Sequence, residues 1–208
     1  MKIISHRGFW QDKAEKNQRV AFERAVSMGF GIETDIRDSQ GSLVISHDMP
    51  CGNEMLLTEF LEIVGDSSIP LAMNIKADGL VSAFKITMET NHIKNWFAFD
   101  MSIPDMRGYL QQKLPVFTRQ SDVETLPAYL EQSMGIWLDE FNSTWYNANH
   151  VNELLQKEKS VCIVSPELHG RDHQSVWDML RPLAHSPTLM LCTDFPDKAR
   201  DFFGDTDD

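Results

Sequence analysis

The chain is poor in positive charge. It carries 19 Lys and Arg against 31 Asp and Glu, a formal net charge of −12 over 208 residues. Such a surface repels nucleic acid and anionic headgroups, so neither is expected as a partner. Cysteine is scarce too. Cys51, Cys162 and Cys192 are an odd number with no CxxC spacing. That argues against a disulfide framework or a thiolate zinc site and fits reduced thiols in a cytoplasmic protein. Long apolar runs are missing. None approaches the roughly 20 residues of a membrane span, so no membrane insertion is expected. The two isoleucines after Met1 and Lys2 fall short of the roughly 7–15 apolar residues of a secretory signal, so none is expected. No GxGxxG or P-loop follows the first apolar run, which weighs against an open doubly wound sheet binding a nucleotide.

What is present is ordinary globular composition, 42% hydrophobic and 24% charged, with a strong alternation. Short, almost continuously apolar runs read as parallel strands buried on both faces. They are residues 2–5, 31–37, 70–76, 96–101, 115–119, 135–140, 160–165 and 188–194. Helical patterns separate them. In the first, Val20, Ala21, Arg24, Ala25 and Met28 recur at helical spacing before Gly29. In the third, Leu80, Phe84 and Met88 do so. A helix is also expected over residues 123–132. Eight strand–helix units predict an α/β fold, a lean (β/α)8 TIM barrel forming one domain over residues 1–208. One stretch breaks the rhythm: turn residues around Gly41 followed by Leu43 to Ser46 predict a small hairpin in the loop after strand two. The acidic end, Asp205 to Asp208, is expected to fray.

Active sites of such barrels lie at the C-terminal ends of the strands. The polar residues there are distinctive. Strand one runs into His6, Arg7 and Gly8, and the loop after strand two delivers His47 and Asp48. Glu33 and Asp35, two apart on strand two, share a face, as do Asn74 and Lys76 on strand three. Two neighbouring carboxylates need a proton, a cation or a basic partner. Carboxylates beside an amide oxygen suit a hard divalent cation, Mg²⁺ or Ca²⁺. Two histidines, an arginine, a lysine and such a cation would make a site for a phosphate ester, with the histidines as general acid and base. The same residues read singly are salt bridges and caps; their convergence on one rim is the argument for a site. Further along, Asp139 and Glu140 end strand six, and Ser165, Glu167, His169 and Arg171 follow strand seven. This last stretch is either a substrate loop or a salt-bridged turn. Trp137 reads as core, whereas Trp145 and Tyr146 either wall a pocket or pack a helix.

In order and spacing, HRG (6–8), ExD (33–35), HD (47–48) and NIK (74–76) resemble the glycerophosphodiester phosphodiesterase family, with a weaker match at CTDFPD (192–197). The resemblance implies a (β/α)8 barrel that hydrolyses a small-molecule phosphodiester to a phosphomonoester such as glycerol 3-phosphate, and an alcohol. It implies His6 and His47 as the acid/base pair, Arg7 and Lys76 on the phosphoryl oxygens, and Glu33 and Asp35 as metal ligands beside Asn74. Related barrels use similar residues to form a cyclic phosphate, as sphingomyelinase-D-like enzymes do. A phosphate-binding barrel without turnover is a further alternative. Three departures stand out. Asn74 replaces the family's usual glutamate, implying weaker cation binding, roughly micromolar to millimolar. The family's Pro-Glu-Asn-Thr stretch survives only as AEKNQ (14–18), where either Glu15 or Asn17 takes its place. Only residues 49–68 stand where the family often inserts a subdomain.

Overall fold

The structure, a computed structural model, describes residues 1–204; the acidic end at Asp205 to Asp208 lies outside the described residues. The chain forms two compact units, one of residues 5–116 and one of residues 1–4 with Phe117 onward.

The first unit holds strands β2 (Gly31–Ser39), β3 (Ser42–Ile45), β4 (Leu71–Ile75) and β5 (Trp96–Phe99). Its helices are α1 (Arg19–Ser27), α2 (Leu57–Val64), α3 (Val81–Thr90) and α4 (Ile103–Gln111). Strand β4 lies parallel between β2 and β5, with Asp35 opposite Asn74 and Asn74 opposite Phe99. The expected hairpin is present: β2 continues past the sheet and turns at Gln40–Gly41, and β3 returns antiparallel with Ser39 opposite Ser42. Along β2, Ile32, Thr34 and Ile36 alternate with Glu33 and Asp35, and all five are buried. Aromatic edges tie the helices down. Phe22 of α1 meets Phe60 of α2 at 4.7 Å, and Phe84 of α3 meets Trp96 at 5.3 Å.

The second unit holds β6 (Phe117–Gln120), β7 (Gly135–Leu138), β8 (Ser160–Val164) and β9 (Leu189–Thr193), again parallel. Its helices are α5 (Ala148–Gln156), α6 (Gln174–Leu180) and α7 (Pro196–Phe203). Trp177, Leu180, Val151 and Ala199 of these helices pack on Ile136, Leu138, Val161 and Leu191 of the strands. Strand β1 (Lys2–His6) contributes to both units, and the hydrogen-bonded strand order is β5-β4-β2-β1-β9-β8-β7-β6. Eight parallel strands in this order, each joined to the next through a helix except β6 to β7, are a (β/α)8 barrel.

Two expectations need correction. Residues 123–132 form turns, not a helix. Val123 and Leu126 are among the most exposed apolar side chains, so the helical spacing has no surface to bury against, and Pro127 cannot donate a backbone hydrogen bond. In α1 the buried face is Ala21, Phe22 and Ala25, whereas Val20 and Met28 face out. Among the described residues no helix is long and apolar enough to cross a membrane.

Candidate active site

Six of the seven residues expected to form the site meet inside the first unit, where β1, β2 and β4 end. His6 is the last residue of β1, and Arg7 turns the chain away with a φ of 59°. Its amide donates to the Glu33 backbone carbonyl at 2.9 Å and stands 3.3 Å from Glu33 Oε2. Its side chain reaches forward, Nε lying 3.1 Å from Asp35 Oδ2. His6 Nε2 is 3.9 Å from Glu33 Oε2. Asn74 Nδ2 donates to Glu33 Oε1 at 3.3 Å. Lys76 Nζ stands 3.4 Å from Asp35 Oδ1 and 3.9 Å from Asp100 Oδ2.

Both carboxylates are taken out of water: Glu33 is 2% exposed and Asp35 0%. Burial raises the pKa of Glu33, and the neighbouring Asp35 charge raises it further, against the opposing pull of His6, Arg7 and Lys76. Glu33 is therefore held reluctantly as an anion.

His47 stands apart from this set. It follows β3, is about half exposed, and its Nδ1 hydrogen-bonds Asp48 Oδ1 at 2.9 Å. The chain reaches it from the site, because the Ser46 amide donates to the Asp35 carbonyl at 3.0 Å, and Arg37 Nε donates to the His47 carbonyl at 3.2 Å. The Asp48 carboxyl is held below its ordinary value, first by the hydrogen bond from His47, and Arg7 acts on it in the same direction.

Glu15 and Asn17 turn to different partners. Glu15 turns to Arg24 Nη1 at 2.9 Å and to the Gln11 amide. Asn17 enters the site, donating from Nδ2 to Asp35 Oδ2 at 2.9 Å. Asp100 carries no distinguishing pattern in the sequence. It follows β5 with a left-handed φ of 68°, a conformation that costs a non-glycine residue free energy and clusters at functional sites.

Among the described residues no three His, Cys, Asp or Glu side chains gather to hold a metal. A cation would rest on two carboxylates and the Asn74 amide. Those groups fit one chemically: Asn74 Oδ1 and Asp35 Oδ1 are buried oxygens that accept no hydrogen bond, the hard donors that Mg²⁺ or Ca²⁺ prefers.

The residues after β7 and β8 form their own network in the second unit. Asp139 pairs with His169 at 2.7 Å and Glu140 with Arg171 at 3.0 Å, while Glu167 accepts from Ser165, Thr193 and the Asp194 amide. Stretch 165–172 is thus a salt-bridged turn. Trp137 is core, Tyr146 is buried, and Trp145 hydrogen-bonds the Asp139 carbonyl.

No protein-family model matches the chain, and no curated protein matches it in sequence. Solved structures do match in fold. The glycerophosphodiester phosphodiesterase of Agrobacterium tumefaciens aligns with a TM-score of 0.71 at 17% identity, over 97% of this chain and 98% of its own. A phosphodiesterase of Oleispira antarctica, in complex with the product sn-glycerol-3-phosphate, aligns with a TM-score of 0.72 at 14% identity, over 97% and 96%. A glycerophosphoryl diester phosphodiesterase of Parabacteroides distasonis aligns with a TM-score of 0.70 at 12% identity, over 97% and 85%. At these identities the likeness is one of fold: the chain has the (β/α)8 architecture of these phosphodiesterases along nearly its whole length.

Proposed function

We propose that this chain is a phosphodiesterase that hydrolyses a glycerophosphodiester, or a similar small diester, to a phosphomonoester and an alcohol. One observation carries the reading. His6, Arg7, Glu33, Asp35, Asn74 and Lys76 are joined by contacts of 2.9 to 3.9 Å at the strand ends of one unit. The fold neighbours that carry phosphodiesterase names, one holding glycerol 3-phosphate, support the same chemistry.

Arg7 and Lys76 supply the charge for the two non-bridging phosphoryl oxygens, and both are already poised on Asp35. Glu33, Asp35 and Asn74 would hold a divalent cation, Mg²⁺ or Ca²⁺, which when bound offsets the negative charge that grows on the phosphoryl group. His47 suits the base. Asp48 accepts the Nδ1 proton, so in the neutral ring Nε2 carries the lone pair that takes a proton from the attacking water. The new oxygen–phosphorus bond forms as the ester bond to the alcohol breaks, and His6 gives its proton to the departing alkoxide. The expelled alcohol and the phosphomonoester account for all atoms of substrate and water.

The test is release of glycerol 3-phosphate from a panel of glycerophosphodiesters, with Mg²⁺ or Ca²⁺ and with EDTA, beside His6→Ala and His47→Ala. Cation-dependent release lost in both variants is the expected result. A panel left intact under every cation would overturn the reading, and a cyclic phosphate seen by ³¹P NMR would replace hydrolysis with internal attack.

A further inference from the structure

Asp35 has two oxygens with different surroundings. Oδ2 receives Asn17 Nδ2 at 2.9 Å and faces Arg7 Nε at 3.1 Å. Oδ1 accepts no hydrogen bond and faces Lys76 Nζ at 3.4 Å. The carboxylate is therefore oriented, with one oxygen committed to the protein and the other turned to where a phosphate and its counter-charge would sit. Of the groups on Oδ2, Arg7 is the one expected to move onto substrate. Asn17 has no such second task.

Asn17 is itself fixed at three points. Its amide donates to the Arg7 carbonyl at 3.0 Å, its Oδ1 accepts from Thr34 Oγ1 at 2.8 Å, and its Nδ2 is the donor to Asp35. The amide orientation follows from chemistry. A carboxylate only accepts, so Nδ2 must face Asp35, and the Thr34 hydroxyl then donates to Oδ1. The backbone holds a left-handed φ of 59°, tolerated by asparagine and costly for alanine. Thr34 and Asp35 are neighbours on β2, pointing to opposite faces, and Asn17 bridges them from the loop before α1.

We propose that Asn17 is a positioning residue that holds Asp35 with Oδ1 presented to the site. Glycine keeps the left-handed turn and removes only the side chain, so Asn17→Gly isolates the amide from backbone strain. The proposal rests on the reading of Asp35 as part of a cation and phosphate site, and two measurements separate the two claims. In a crystal structure of Asn17→Gly, the Asp35 carboxylate is expected to rotate off its native plane toward Lys76. By calorimetry with Ca²⁺ alone, affinity is expected to fall about 10- to 100-fold, as for other outer partners of metal ligands. Asn17→Asp, which sets a second carboxylate against Oδ2, is expected to lose more. An unmoved Asp35 carboxylate with native Ca²⁺ affinity would overturn the assignment. If the native protein binds no Ca²⁺ or Mg²⁺, the cation reading fails by itself, and the crystal structure alone decides the role of Asn17.

Discussion

Gly8 closes the His-Arg-Gly triplet, and a single methyl group there tests how β1 and α1 are fitted together. Its φ is +84°, and a Cβ would stand 2.9 Å from both the carbonyl carbon and the Cβ of Ala21, and 3.0 Å from Phe22 Cδ1. Ala21 and Phe22 are fully buried in α1, so the helix backbone itself is what must give way. Gly8→Ala therefore carries two costs. The left-handed backbone costs an alanine about 1–2 kcal/mol. Overpacking against a buried helix adds about 1–3 kcal/mol. Gly29, at the end of α1, offers the matching control: φ is +72° and nothing lies within 4 Å of its Cβ position. Gly29→Ala bears the backbone cost alone. For a chain of this size each kcal/mol shifts the melting temperature by about 2–4 °C. The fall is thus about 4–20 °C for Gly8→Ala and about 2–8 °C for Gly29→Ala, read by circular dichroism in parallel melts. Because Gly8 directly follows Arg7, displacing α1 also draws Arg7 from Asp35, and turnover is expected to fall in Gly8→Ala only. Equal melting temperatures for the two variants would refute the argument, since the Ala21 contact would then cost nothing.

Three other outcomes follow from the charges. Glu33→Gln removes a buried acid whose pKa is raised. The native protein should lose stability as pH climbs from the ordinary carboxylate range through that raised value, because the folded state keeps the proton longer; in melts from pH 5 to 8 the variant should lack that loss while binding no Ca²⁺. Asn74→Glu exchanges the donor to Glu33 Oε1, now 3.3 Å away, for a third carboxylate. At that separation repulsion is on the order of a few kcal/mol, so the cation-free protein should melt lower and Ca²⁺ should stabilise it more than the native chain; an unchanged cation-free melt would count against the electrostatic account. His169 has its pKa raised, first by its hydrogen bond to Asp139. Its contribution is complete below the unfolded histidine value, about 6.5, and fades as pH rises through the folded one. Asp139→Asn should flatten that part of the stability profile, and an identical profile would rule the pair out as its source.

The legible part of the fold was the part written in polar interruptions of apolar strands. His6 and Arg7 end β1, Glu33 and Asp35 share one face of β2, and Asn74 and Lys76 end β4. Strand periodicity places Glu33 with Asp35, and Asn74 with Lys76, on one side, and the structure joins all six. Asp100 carries no such mark. It follows an apolar strand that reads as ordinary core, and its distinction is a backbone angle and a shared lysine, both tertiary facts. Glu15 and Asn17 lie in a loop without period, where sequence cannot say which turns inward. The answer depended on Arg24, nine residues from Glu15 and on the next helix.

The helix expected over residues 123–132 failed for the complementary reason. Spacing names the face a helix would bury, but it does not supply the surface to bury it on. Here Leu126 is 89% exposed, and the segment is held by side chains instead. Ser121 Oγ accepts from the Val123 and Glu124 amides, and Thr118 donates to the Ala128 carbonyl. Such bonds compete with helical ones wherever no apolar face tips the balance. The same limit explains why Asp139, Glu140, His169 and Arg171 left two readings open. Each pair is about thirty residues apart in the chain, and only the parallel register of β7 and β8 brings them together as ion pairs. Local pattern determines which groups are offered to the strand ends; the pairing of strands determines which of them neutralise each other and which remain for a substrate.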